Sequence, residues 1–178
     1  MQQISLGNNP NESKNLSWAQ AELDIESYFP IGNHFVLGTR LNSVASTKKL
    51  VENYTANIVQ APAFSPTPAT RNYFNPEFRA NSYIAGGLIP LIKISDSFQF
   101  RTEFYAFAPF RKILENNSLK AEYGKWFNSL SYMGEASLVY NMSFASFSIY
   151  ENYLSYPSKN WNFGVSFGVL FTAPKFLR

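Results

Sequence analysis

Strict two-residue alternation constrains this chain more than any other feature. From Trp18 to Phe29, Gln20, Glu22, Asp24 and Glu26 fall on one side while Ala19, Ala21, Leu23 and Ile25 fall on the other. Successive side chains of an extended strand point to opposite faces, so this period predicts a strand with one polar and one apolar face. The pattern returns in His34–Val44, where Phe35, Leu37 and Leu41 oppose His34, Arg40 and Asn42. It is clearest in Ser97–Phe110, where Phe98, Phe100, Phe104 and Ala106 oppose Gln99, Arg101, Glu103 and Tyr105. Leu130–Tyr140, Ala145–Ile149 and the stretch ending at Phe171 repeat it. Arg79–Ile92 reads as a further strand with Arg79, Asn81 and Tyr83 on its polar side.

Strands of roughly 10–14 residues exceed the usual soluble strand of about 5–6 and match the 9–11 residues that a tilted strand needs to cross a bilayer. Their connections alternate in length. Short turns fall at Phe29–Asn33, Lys93–Asp96 and Asn141–Ser143, and long segments at 45–78, 111–127 and 152–160. Short turns on one rim and long loops on the other are the layout of outer-membrane barrels. The expected fold is therefore all-β: an antiparallel up-and-down transmembrane β-barrel domain over residues 1–178, with about seven or eight meander strands. Folding the first hairpin about Ile31 sets Glu22 opposite Arg40 and Gln20 opposite Asn42. In a later hairpin, Glu135 falls opposite Tyr150 and Ser137 opposite Ser148. Polar meets polar in both, as an interior lined with water requires.

Composition removes several function classes. The chain has no Cys and one His, which excludes a thiolate metal site, a cysteine nucleophile and a multi-His zinc centre. A net charge of +3 is too small to argue for nucleic acid. Aromatic residues make up 17% and charged residues only 15%, the reverse of a disordered chain. The N-terminus lacks the basic start and apolar stretch of a signal peptide. Seven strands leave the two chain ends on opposite rims, whereas single-chain bacterial barrels have even counts. The chain thus reads as the C-terminal piece of a longer protein, or as a complete small barrel with Met1–Gly7 supplying an eighth strand. A soluble lipocalin-like lipid-binding barrel is the third reading.

Three segments carry a resemblance: Phe74-Asn-Pro-Glu-Phe-Arg-Ala-Asn-Ser-Tyr-Ile-Ala-Gly-Gly-Leu88, Phe98-Gln-Phe-Arg-Thr-Glu-Phe-Tyr-Ala-Phe-Ala-Pro-Phe-Arg-Lys112 and Asn162-Phe-Gly-Val-Ser-Phe-Gly-Val-Leu-Phe171. With them the chain resembles the C-terminal half of BamA/TamA-type surface-antigen barrels, and most narrowly the barrel fused behind patatin-like phospholipases of Bacteroidetes-type bacteria. The resemblance implies half of a sixteen-stranded barrel, with residues 45–78 as its longest external loop. It implies an N-terminal passenger domain and the barrel-assembly machinery as partners, besides outer-membrane lipid and lipopolysaccharide. The family's loop signature places an arginine after an aliphatic residue and before Gly and an aromatic, reaching towards an acidic residue on a following strand. Phe78-Arg79-Ala80 is the nearest match, without the glycine, and makes Arg79–Glu103 the expected lumenal pair.

Catalytic patterns are weak. Gly164-Val-Ser-Phe-Gly168 spells G-x-S-x-G, but a nucleophile elbow needs a strand, a sharp turn and a helix, and here the motif alternates within one strand. No enzyme activity and no cofactor are expected of this chain; a patatin-type catalytic half would lie upstream. Glu22, Asp24 and Glu26 sit about 7 Å apart along one strand face, too far for shared ligation. Lining a wet lumen, partly neutralised by Arg40 and Arg101, is the expected role. Lys48, Lys49, Arg71, Arg111, Lys112, Lys120, Lys125 and Lys159 gather in or beside the long loops, where they could meet lipopolysaccharide phosphates.

Overall fold

A computed structural model of the protein describes residues 3–7, 17–71, 73–155 and 161–169. Among these residues ten strands form: β1 (Gln3–Gly7), β2 (Trp18–Ile31), β3 (Phe35–Ser46), β4 (Tyr83–Lys93), β5 (Phe98–Pro109), β6 (Arg111–Glu115), β7 (Ala121–Trp126), β8 (Ser131–Asn141), β9 (Ala145–Leu154) and β10 (Trp161–Val169). Eight of them make one antiparallel sheet in the order β1-β2-β3-β4-β5-β8-β9-β10, so the chain is an all-β up-and-down meander. Its edges are β1 and β10. The remaining pair, β6 and β7, is a separate hairpin. Among the described residues no helix is long and apolar enough to cross a membrane.

The alternation survives folding, and its sense is inverted relative to a soluble sheet. Leu23, Ile25, Leu41, Ile84, Leu88, Phe104, Phe163 and Phe167 are exposed on one face, the outer one. Asn42, Glu103, Glu135, Ser137 and Asn152 are buried on the other, the inner one. The same two-residue alternation thus sets a face with buried polar side chains against a face with exposed apolar ones.

Both hairpin registers differ from the sequence expectation. Glu26, not Glu22, stands opposite Arg40, and Asp24 opposite Asn42, because the chain reverses through Gly32–His34 with Gly32 at φ 76°. A positive φ of this kind suits glycine, which has no Cβ to clash. In the β8–β9 hairpin Ser137 meets Tyr150 and Glu135 meets Asn152. The slips are of four and two residues, so each side chain keeps its face.

The largest departure lies in the long segments. Arg79 and Asn81 precede β4 rather than belonging to it. Residues 47–82 build two short helices, α1 (Tyr54–Gln60) and α2 (Pro68–Arg71), and a 3-10 turn at Pro76–Phe78. Asn53 caps α1 by accepting from the Ala56 amide, satisfying one of the first-turn donors. The segment then lies on the inner face. Phe64 and Phe78 enter a cluster with Tyr83, Phe107, Tyr105 and Met133. Phe64 meets Tyr105 at a ring separation of 5.6 Å, and Tyr105 is four residues inside the end of β5. The loop therefore reaches about 13 Å down the sheet at 3.3 Å per residue.

Candidate functional site

The inner face divides into an aromatic upper part, occupied by the loop, and an ionic lower part. In the ionic part Arg40, on β3, forks across to β2. Its Nε and Nη2 donate to Asp24 at 3.0 and 2.6 Å, and its Nη1 stands 3.6 Å from Glu26 Oε2. The planar guanidinium suits this two-point grip on a carboxylate. Tyr28 donates its hydroxyl to Glu26, and Asn42 donates its amide to Glu22 at 3.0 Å. These strands thus carry a continuous row in which each expected lumenal carboxylate, Glu22, Asp24 and Glu26, has a partner.

A second group sits on β5, β8 and β9. Arg101 Nε stands 2.7 Å from Glu103 Oε1, and Tyr105 donates to Glu103 Oε2. Glu135 is the direct cross-strand neighbour of Glu103, and both are buried. Thr67, just before α2, and Asn152 from β9 flank the Glu135 carboxyl. Even so, Glu135 Oε2 and both amide atoms of Asn152 are buried without a well-aligned hydrogen bond. Burying polar atoms without partners is costly, so this spot carries an uncompensated desolvation penalty.

The expected Arg79–Glu103 pair does not form. Glu103 is engaged by Arg101 and Tyr105. Arg79 instead donates Nη1 to the Val59 and Ala61 carbonyls at 3.0 and 3.1 Å, where α1 ends. Its guanidinium lies over the Phe74 ring at 4.8 Å. Cations favour helix C-terminal carbonyls, and aromatic faces attract guanidinium groups. Partial burial lowers the pKa of Arg79 from the ordinary arginine value. Its role is to staple the loop to itself, not to bridge loop and strand.

The rim cations are also mostly spoken for. Lys112 pairs with Glu77 at 2.7 Å, tying β6 to the long loop. Lys120 pairs with Glu52 at 3.4 Å. Arg111 stacks on Tyr123 at 4.5 Å and donates to the Gly124 carbonyl. Lys48 donates to Gln60 and lies over Trp18, and burial lowers its pKa below the usual lysine value. Arg71 donates to the Ser65 carbonyl. Lys159 lies outside the described residues. These contacts, with Ile58, Ala61 and Ile113 packed together, join the two long segments into one cap over the long-loop rim.

Asn152, Thr67 and Phe64 were not singled out by sequence, and Glu135 was set only against Tyr150, not beside Glu103. Parity alone places Glu135 with Glu103 on the polar face, but the neighbour relation needs the β5–β8 pairing across residues 111–127. Gly164, Ser166 and Gly168 alternate inside β10, as an elbow does not. Among the described residues no cluster of three or more His, Asp or Glu side chains could hold a metal ion. No protein-family model, no curated protein and no solved structure matches the chain. Fold and site together define an antiparallel meander with an ionic, loop-covered inner face and an apolar outer face.

Proposed function

We propose that this chain is a non-catalytic segment of a bacterial outer-membrane β-barrel that anchors or translocates an N-terminal passenger, of the patatin-like phospholipase kind. The observation that carries the membrane part is the inverted sheet: Phe104, Phe163 and Phe167 are exposed outward while Glu103 and Glu135 are buried inward. A soluble lipid-binding barrel has the opposite polarity, with its apolar side chains turned inward. Aromatic residues at the strand ends nearest the long loops, Tyr153 and Trp161 with rings 5.3 Å apart, suit an interfacial girdle.

The inserted loop favours a wide barrel over a closed eight-stranded one. Eight strands enclose an interior just wide enough for side chains, whereas here Phe64, Phe78 and Ala80 of the long loop pack onto the inner face. The sheet is then about half of a wider barrel, folded by the barrel-assembly machinery and bordered by lipid and lipopolysaccharide. The passenger rests on the resemblance of the three quoted segments.

Expression of the chain with an export signal, followed by alkaline carbonate extraction of membranes, tests the first part. Retention in the membrane pellet supports it. A chain that is monodisperse without detergent and binds fatty acids overturns it. Sequencing upstream of Met1 tests the passenger: an in-frame hydrolase domain supports it, and an unrelated coding region removes it.

A further inference from the structure

Among the described residues the outer face of the sheet carries a single charge. Across the outward positions of β2–β5 and β8–β10, set by the strand registers, every residue is uncharged except Glu151 on β9. Glu151 stands between Ala136 on β8 and Phe163 on β10. Among the described residues no hydrogen bond or ion pair engages it. It is three residues from the end of β9 at the long-loop rim, about 10 Å along the strand, just inside the Tyr153–Trp161 ring pair. An ionisable group on a lipid-facing surface is costly, and where one persists a partner is expected.

Glu151 also borders a large depression in that face. A groove of about 670 Å³ crosses β4, β5 and β8, within the range of small-molecule sites. Its floor is made of Gly86, Ala106, Gly134 and Ala136, the small outward residues of three adjacent strands. Phe104 and Tyr132 wall it, and Tyr153 and Trp161 close it on the side of Glu151.

We infer that this groove binds a phospholipid with a primary-amine head, its ammonium on Glu151 and an acyl chain over the small-residue floor. The inference rests on the membrane reading above. Charge complementarity selects the occupant. A second copy of the chain applied through the same face brings no cation to Glu151, because the described outward positions hold no Lys or Arg. An anionic or purely apolar lipid leaves the carboxylate unpaired in the same way.

The test uses the full chain in detergent micelles doped with equal amounts of phosphatidylethanolamine and phosphatidylglycerol of identical chains, with bound lipid counted by native mass spectrometry. The expected result is preferential retention of the amine lipid by about threefold, the ratio of one partly screened ion pair. Glu151→Gln is expected to bring the ratio to about one while total bound lipid is kept. Ala106→Leu, which fills the floor, is expected to lower retention of both lipids. A native ratio near one, or a preference unchanged in Glu151→Gln, overturns the inference. Incorporation into phosphatidylglycerol-only vesicles, scored by carbonate resistance, separates the two readings. Incorporation with no headgroup preference removes the lipid site alone, and failure to enter any vesicle removes both.

Discussion

Tyr28 lies across Gly38, its directly opposed partner on the neighbouring strand: a Cβ placed on Gly38 stands 2.7 Å from Tyr28 Cε1. The same relation recurs on the inner face at Gly87 and Tyr105, and at Gly164 and Tyr150. At Gly87 the added carbon also meets the Phe104 carbonyl oxygen at 2.1 Å, and backbone within a paired ladder cannot step aside. At Gly134 the nearest atom is 3.5 Å away, an ordinary contact. Three alanine substitutions should therefore rank. Gly87→Ala is expected to destabilise most, by about 3 kcal/mol or more, Gly38→Ala by about 1–2, and Gly134→Ala by less than about 0.5. Denaturant midpoints in micelles check the order, and equal effects at Gly87 and Gly134 contradict it.

Arg40 neutralises two carboxylates at once. Removing it leaves Asp24 and Glu26 on one face of β2 without the cation that both contact. Arg40→Ala is expected to cost about 2 kcal/mol, and Arg40→Lys to recover only part, since an ammonium cannot make the two-point grip. Asp24→Asn combined with Arg40→Ala should cost less than the sum of the single changes. Additive losses in a double-mutant cycle contradict the geometry.

Phe64 is the aromatic wedge that seats the loop. It contacts Tyr83, Tyr105 and Phe107 at ring separations of 5.6–6.4 Å. Phe64→Ala is expected to cost about 3–5 kcal/mol of loop docking while the strands stay paired. Hydrogen exchange separates the two: amides of residues 56–80 lose protection, and those of β5 and β8 keep theirs. Loss of protection across the whole sheet would mean that the loop is integral to strand pairing.

Lys112 and Glu77 join the two long segments at a partly exposed site. A cycle of Lys112→Ala and Glu77→Ala is expected to show coupling of about 0.5–1 kcal/mol that falls as salt is raised. Salt-independent coupling would point to packing of the lysine stem instead.

How much of this was legible in sequence follows from what a period of two can encode. Alternation assigns faces: Glu103 and Arg101 inward, Phe100 and Phe104 outward, and the same for the remaining long strands. It is blind to slips by an even number of residues, because these keep every face. That is why Glu22–Arg40 was expected where Glu26–Arg40 forms. The residue that resolves it is Gly32, whose positive φ places the reversal two residues beyond Ile31. Arg79 was misassigned for another reason. Its partners, the carbonyls that close α1, exist only once residues 54–60 coil, and no periodic signal marked that short helix.

The sequence by itself determined the all-β meander, the rims on which short turns and long segments fall, and which side of each strand is polar. These are local properties, carried by side-chain alternation and turn residues within a few positions of one another. Tertiary structure alone decided the registers, the packing of Phe64 and Phe78 onto the inner face, the meeting of Glu103 with Glu135 across the β6–β7 excursion, and the isolation of Glu151 beside the outer groove. Each brings together residues distant along the chain, and closing such loops depends on packing that no local pattern records.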